Sequence, residues 1–252
     1  MAEQKRPRLN LLDALRGFAL VNMIAYHGLW DLVYLFGVKL DWYVGLPGYL
    51  WQQSICWTFL LLSGFCLGFS RSPVRRGLTV FAGGLAVTVA TALFMPGSRV
   101  LFGVLTCLGS SMVLMGLLEK PLKKRDPRLG FGLFLALFLL TRNVPAGSLG
   151  FENWVICPLP EVLYRNHLTA YLGFPHRSFF STDYFPLIPW FFLFGTGYFL
   201  ERILSERHLT EKLLSRGRIP VLNRMGRHSL ILYLLHQPVL YGLCMLADYL
   251  GK

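Results

Sequence analysis

An all-α integral membrane protein, a bundle of about seven transmembrane helices with its N-terminus in the cytoplasm, is what the sequence predicts, and three observations predict it. Apolar residues make up 54% of the 252 positions and charged residues only 15%, whereas a soluble domain carries about 25% charge; mean hydropathy is +0.48. The apolar residues gather in runs close to the ~20 residues that cross a hydrocarbon core. The basic residues are sorted between the segments that join those runs. Such a composition excludes a water-soluble globule, a disordered chain and a collagen. No short alternating strands suggest a barrel. The five cysteines, Cys56, Cys66, Cys107, Cys157 and Cys244, are scattered without zinc or disulfide spacing and read as small hydrophobes.

Seven runs are expected to span: Leu12 to Phe36, Tyr49 to Phe69, Leu78 to Met95, Val100 to Leu118, Leu129 to Thr141, Phe185 to Leu204 and Ser229 to Ala247. The fifth is the shortest. The N-terminal MAEQKRPR is not expected to be a cleaved signal, because Asp13 and Arg16 interrupt the apolar run behind it. With the N-terminus inside, eighteen of the 25 basic residues face the cytoplasm, among them Lys5, Arg6, Arg8, Arg71, Arg75, Arg76 and Arg227, against six outside. That asymmetry is the positive-inside pattern, and it attracts anionic lipid. The net charge of +12 is therefore read as topology, and no nucleic-acid partner is expected. Residues 1–252 read as one transmembrane domain with a long extracytoplasmic loop at about 142–184.

The first span, LLDALRGFALVNMIAYHGLWDLVYLFG, holds Asp13, Arg16, Asn22, His27 and Asp31. Ionisable groups in lipid are costly and mark pathways or sites. At about 100° per residue, Arg16 and His27 differ by roughly 20° after three turns and lie about 16 Å apart along the axis. His27 and Asp31, at i and i+4, are neighbours on the same face. A carboxylate beside an imidazole suits a general base. Two plainer readings stay open: Arg16 snorkels and pairs with Asp13, and His27 is an interhelical hydrogen-bonding residue.

LDALRGFALVNMIAYHGLWDL, FLLLSG in the second span, FGVLTCLG in the fourth, FSTDYFPLIPW before the sixth and GRHSLILYLLHQPV in the seventh together resemble the bacterial membrane proteins of the heparan-alpha-glucosaminide N-acetyltransferase catalytic domain-like family, part of a wider transmembrane acyltransferase superfamily. The arginine–histidine spacing of Arg16 and His27 also matches that of related acyltransferases acting on cell-surface polysaccharides. The resemblance implies acyl transfer across a bilayer, from cytoplasmic acetyl-CoA or another acyl-CoA to an extracytoplasmic sugar or glycan, with His27 catalytic. Two departures narrow it. The family's fourth-span motif often has histidine where this chain has Thr106, and no histidine lies between Gly28 and Gly48, where the lysosomal enzyme of that name carries its active one. Heparan itself is thus not the expected acceptor.

On this reading Arg16, Arg75, Arg76 and Arg227 are the expected holders of the CoA phosphates, and His27 with Asp31 the proton-transfer pair. Asn22, roughly 140° from His27, is a poor oxyanion donor. Asp183 and Tyr184, in Ser-Thr-Asp-Tyr before the sixth span, either cap that helix or line an acceptor pocket, with Asp183 a candidate catalytic residue beside His27 and Asp31. Pro189 is expected to kink the sixth span. His236 and Gln237, ahead of Pro238, either satisfy the carbonyl that proline frees or touch substrate, His236 being the named candidate. Trp30 and Gln53 are further candidates for acceptor contact. No metal is expected. The localisation expected is the bacterial inner membrane, with membrane lipid as surroundings and a homo-oligomer left open. Rival readings are a small transporter with a charge relay, a haem protein ligated by His27 and His236, and a non-catalytic accessory subunit.

Overall fold

The computed structural model describes residues 9–210 and 219–250; Lys5, Arg6, Arg8 and Lys252 lie outside the described residues. In chain order the main helices are α1 (Asn10–Tyr34), α2 (Asp41–Val44), α3 (Leu46–Leu67), α4 (Pro73–Phe94), α5 (Val104–Leu117), α6 (Glu119–Lys123), α7 (Pro127–Thr141), α8 (His167–Leu172), α9 (Leu187–Glu206), α10 (Pro220–Arg227) and α11 (Ser229–Leu250). Each of the seven expected runs contains a helix, and the chain is an all-α membrane protein. Among the described residues, five stretches are long and apolar enough to cross a bilayer: α3, α4, α7 with the turn after it (Pro127–Ala146), α9 and α11. Helix α1 has the length, at 25 residues, but carries the charges noted above. Helix α5 has only 14 residues, about 21 Å, because residues ahead of Val104 are held in a loop.

Local chemistry sets several ends. Pro73 opens α4 in its first turn. Asp126 caps α7, accepting the Arg128 N–H at 2.7 Å. Asn166 and Thr169 form a capping box on α8. The helical geometry of α9 breaks at Ile188, just before Pro189, which agrees with the expected proline kink.

The chain divides into two compact units, Met1–Phe59 with Arg207–Lys252, and Leu60–Glu206. In the first, α1 packs against both α10 and α11. Helix α10 comes close enough to α1 for Gly17 to face the Leu222 carbonyl and Gly226 the Asp13 carbonyl, positions where any Cβ would overlap backbone. Buried Asn223 fixes that approach: its Oδ1 accepts the Ile219 N–H at 2.7 Å and its Nδ2 donates to the Asn10 carbonyl. Leu20, Met23 and Ile55 form the core here, flanked by Tyr26, Trp51 and Tyr233. In the second unit α4 pairs with α5 and α7 with α9, and Phe134, Phe138, Phe194 and Phe199 are buried.

The segment expected as an extracytoplasmic loop is structured. An antiparallel hairpin joins β1 (Ser148–Phe151) to β2 (Trp154–Pro158), and β1 packs on α7. Strands of four and five residues, one with glycine inside it, are too short to announce themselves by alternation.

Candidate active site

Helix α1 runs unbroken from Asn10 to Tyr34, so Arg16 and His27 stay on one stripe, roughly 16 Å apart along the axis. Asp31 on that helix is fully buried. Its Oδ1 accepts a hydrogen bond from Gln237 Nε2 at 2.7 Å, while its Oδ2 has no partner among the described residues. The imidazoles of His27 and His236 lie edge to face, 4.9 Å between centroids. Helix α11 thus brings two adjacent side chains to α1: His236 meets His27, and Gln237 meets Asp31. The i, i+4 spacing led to the expectation that Asp31 would orient His27. Instead Gln237 takes one of its oxygens and the other is unbound.

His236 Nδ1 contacts the Tyr233 carbonyl oxygen. A carbonyl only accepts, so Nδ1 carries the proton and the neutral ring offers a lone pair at Nε2. That Nε2 is buried without a partner among the described residues, as is Gln237 Oε1. Three acceptor atoms, Asp31 Oδ2, His236 Nε2 and Gln237 Oε1, therefore lie on one helix pair with no described residue donating to them. Each buried unmet acceptor costs about 1–3 kcal/mol, which a ligand rich in hydroxyl or amine protons relieves. The two imidazoles, in edge-to-face contact, leave no slot for a porphyrin between them. Among the described residues no group of three or more His, Cys, Asp or Glu could hold a metal ion.

The neighbours in this unit have defined partners. Asn22 accepts from Trp51 Nε1 at 3.0 Å and donates to the Phe18 carbonyl at 2.9 Å, a packing role that matches its poor placement as an oxyanion donor. Trp30 packs on Tyr34, centroids 5.2 Å apart. Gln53 bonds Gln52 and Trp57. Arg16 pairs with Asp13 at 3.3 Å, both partly exposed. Because α10 lies against Asn10, Asp13 and Gly17, exposed Arg224 and Arg227 share that end of the unit with Arg16. The Arg227 Nε donates back to the Asn223 carbonyl at 3.1 Å.

In the second unit the Ser181–Phe185 segment is fastened to the loop ahead of α5. Ser181 Oγ accepts the Leu101 N–H at 2.9 Å and donates to the Asp183 carbonyl at 3.0 Å. Thr182 Oγ1 donates to the Ser98 carbonyl at 3.0 Å, and the Phe185 N–H to that of Phe102 at 2.8 Å. Asp183 Oδ2 accepts the Val104 N–H at 3.3 Å. The carboxylate therefore caps a helix, as one reading of Ser-Thr-Asp-Tyr held, but the helix is α5, 79 residues earlier in the chain. Burial pushes its pKa up to about 6, partly offset by that N–H. Tyr184 donates its hydroxyl to the Ala170 carbonyl, and burial raises its pKa. Arg75 and Arg76 are exposed in the first turns of α4.

The structure thus joins His27, Asp31 and His236 in one unit and holds Asp183, Tyr184, Arg75 and Arg76 in the other. The contact that sequence reasoning missed is that of Asp31 with Gln237, a residue it weighed for helix packing beside Pro238 or for substrate contact. The available signal was an amide in one apolar span and a carboxylate deep in another, two polar groups that need each other in lipid.

Residues 8–238 match the family model described as heparan-alpha-glucosaminide N-acetyltransferase, catalytic, a stretch that contains His27, Asp31, Asp183, His236 and Gln237. No curated protein and no solved structure matches the chain. With its long apolar helices and a family match across most of its length, the chain belongs to the heparan-alpha-glucosaminide N-acetyltransferase catalytic family and is an integral membrane protein of acetyltransferase-like function.

Proposed function

We propose that the protein moves an acyl group, acetyl in the first instance, from cytoplasmic acyl-CoA to a hydroxyl or amine of an extracytoplasmic sugar or glycan. The observation that carries this reading is the buried set of unmet acceptors around His27: Asp31 Oδ2, His236 Nε2 and Gln237 Oε1. A polyol or amino sugar supplies the missing protons. Family membership supports the acyl donor. The N-terminus inside and the bacterial inner membrane as location rest on the basic-residue asymmetry, and the product is then a modified cell-envelope glycan.

In the proposed step His27 takes the proton of the acceptor group as its oxygen or nitrogen attacks the thioester carbonyl. A tetrahedral adduct forms, the C–S bond breaks, and the thiolate leaves as CoA-SH after receiving that proton. Asp31 and Gln237 hold acceptor hydroxyls. Arg16 and Arg227, with Arg224 beside them, bind the donor phosphates at the end of the unit where α10 meets α1; Arg75 and Arg76 add basic charge on the cytoplasmic side. Trp30 and Gln53, in the same unit as His27, are secondary candidates for acceptor contact. Asp183, bonded to the α5 N-terminus, is assigned to support instead of proton transfer. A second reading has one specific observation in its favour: the unbound lone pair of His236 Nε2 makes His236 the base and His27 its partner.

The test is thioester consumption by the protein in lipid with sugar acceptors. Loss of the base costs about 10²–10⁴-fold. His27→Ala falling by that amount and His236→Ala by less supports the first assignment, and the reverse order supports the second. Turnover unchanged in both variants sinks the acyltransfer site.

A further inference from the structure

The hairpin at the end of α7 has chemistry that neither a water-facing loop nor the proposed transferase site explains. Helix α7 has 15 residues, about 22 Å, whereas α3 and α4 have 22 each, about 33 Å. Its first turn is anchored at a membrane border by Lys124, Arg125, Asp126 and Arg128. Regular helix ends after about 22 Å, and only the turn residues 142–146 bring the stretch up to the length that crosses a hydrocarbon core of ~30 Å. The hairpin is tied to that short end. The buried Asn143 donates its backbone N–H to the Gly150 carbonyl at 3.1 Å and its Nδ2 to that of Glu152 at 2.8 Å. Phe151 of β1 packs on Phe138 of α7, centroids 6.4 Å apart. The hairpin therefore sits at the depth where α7 stops.

Its outer strand is apolar and uncovered. Trp154, Val155 and Ile156 are 83%, 62% and 67% exposed, on both faces of β2. The charge at the turn is neutralised, because Glu152 pairs with Arg142 at 3.2 Å. The sheet has two strands, so the outer backbone edge of β2 has no strand partner among the described residues. Unpaired backbone groups are intolerable in hydrocarbon, but headgroups and interfacial water satisfy them. Tryptophan favours that layer. Exposed Leu139 and Leu140 in the last turn of α7 carry the lipid-facing surface up to the hairpin.

We propose that β2 is a membrane-interface element: Trp154, Val155 and Ile156 dip into the headgroup–acyl boundary of the bilayer the protein spans, at the border where α7 and its following turn end. The inference is independent of the acyltransferase reading. It is tested by tryptophan quenching in reconstituted vesicles, with the Trp154 signal taken as the difference between wild type and Trp154→Phe. Lipids brominated high on the acyl chain should remove most of that signal; lipids brominated near the methyl end and aqueous iodide should remove little. Ile156→Trp in the Trp154→Phe background should show the same shallow pattern. Strong iodide quenching with weak quenching by every brominated lipid puts the strand in water and overturns the proposal. Quenching by neither, with Val155→Cys cross-linking between copies, assigns the face to a second copy and overturns it equally.

Discussion

Two polar regions of this chain look alike in sequence and differ in how their hydrogen bonds are disposed. Around His27, α1 and α11 bury Asp31, His236 and Gln237 so that three acceptor atoms lack donors. Around Asp183, the Ser181–Phe185 segment is bonded to the loop ahead of α5, within itself, and through the Tyr184 hydroxyl to the Ala170 carbonyl of α8. The first arrangement leaves three buried acceptor atoms for a ligand; the second commits Asp183 Oδ2 to a backbone N–H, and no buried unmet acceptor lies in the segment among the described residues. A buried acidic residue near a membrane helix is thus not by itself a sign of catalysis. What matters is whether buried acceptors around it are left without donors.

The largest expected effect tests the first region. His27→Ala should lower turnover by about 10²–10⁴-fold, roughly 3–5 kcal/mol of barrier, with little change in the melting temperature in detergent. A parallel fall in melting temperature would mean that the imidazole pair is structural and would erase the contrast.

Next comes pH, which tests the second. Folding raises the Asp183 pKa from 3.8 to about 6, so the folded state favours the neutral acid. That contribution is complete below about pH 4 and is lost as pH rises through about 6, up to about 3 kcal/mol. Wild type should therefore lose stability relative to Asp183→Asn between pH 4 and pH 6, read as a difference in melting temperature. Parallel curves would show that the carboxylate is not held against water.

Smaller again is the cap itself. Asp183→Ala should destabilise by about 1–2 kcal/mol through the unmet Val104 N–H, yet keep turnover within a few-fold well below its melting temperature. A loss of activity as deep as that of His27→Ala in a stably folded variant would return Asp183 to the chemistry.

The smallest effect concerns Arg16. Its partly exposed ion pair with Asp13 contributes under about 1 kcal/mol. Asp13→Asn should leave stability almost unchanged and tighten CoA binding by a few-fold in calorimetry at low salt, with the gain fading as salt rises. Weaker binding would mean that Asp13 positions Arg16 for the donor.

The helical membrane class, the seven apolar runs and the polar stripe of α1 were legible in the sequence, because they depend on composition and a period of 3.6 residues, which are local. Pro189 was legible as a break in α9 for the same reason: the missing N–H belongs to one residue. Helix α5 fell short of its apolar run because Ser181 and Phe185, some 80 residues later, hold the loop before it. The hairpin was not legible, since its short strands are defined by Asn143 and the end of α7 more than by their own pattern.

By itself, then, the sequence determined which stretches seek lipid and that His27 shares a helix face with Arg16 and Asp31. Only tertiary structure decided that Asp31 bonds Gln237 across 206 residues, that His236 is the ring beside His27, and that Asp183 caps a helix other than its own. The physical reason is range. Hydropathy and helical phase are set by neighbours along the chain, whereas a hydrogen bond is directional and short, so its partner is known only once packing has brought two distant segments together.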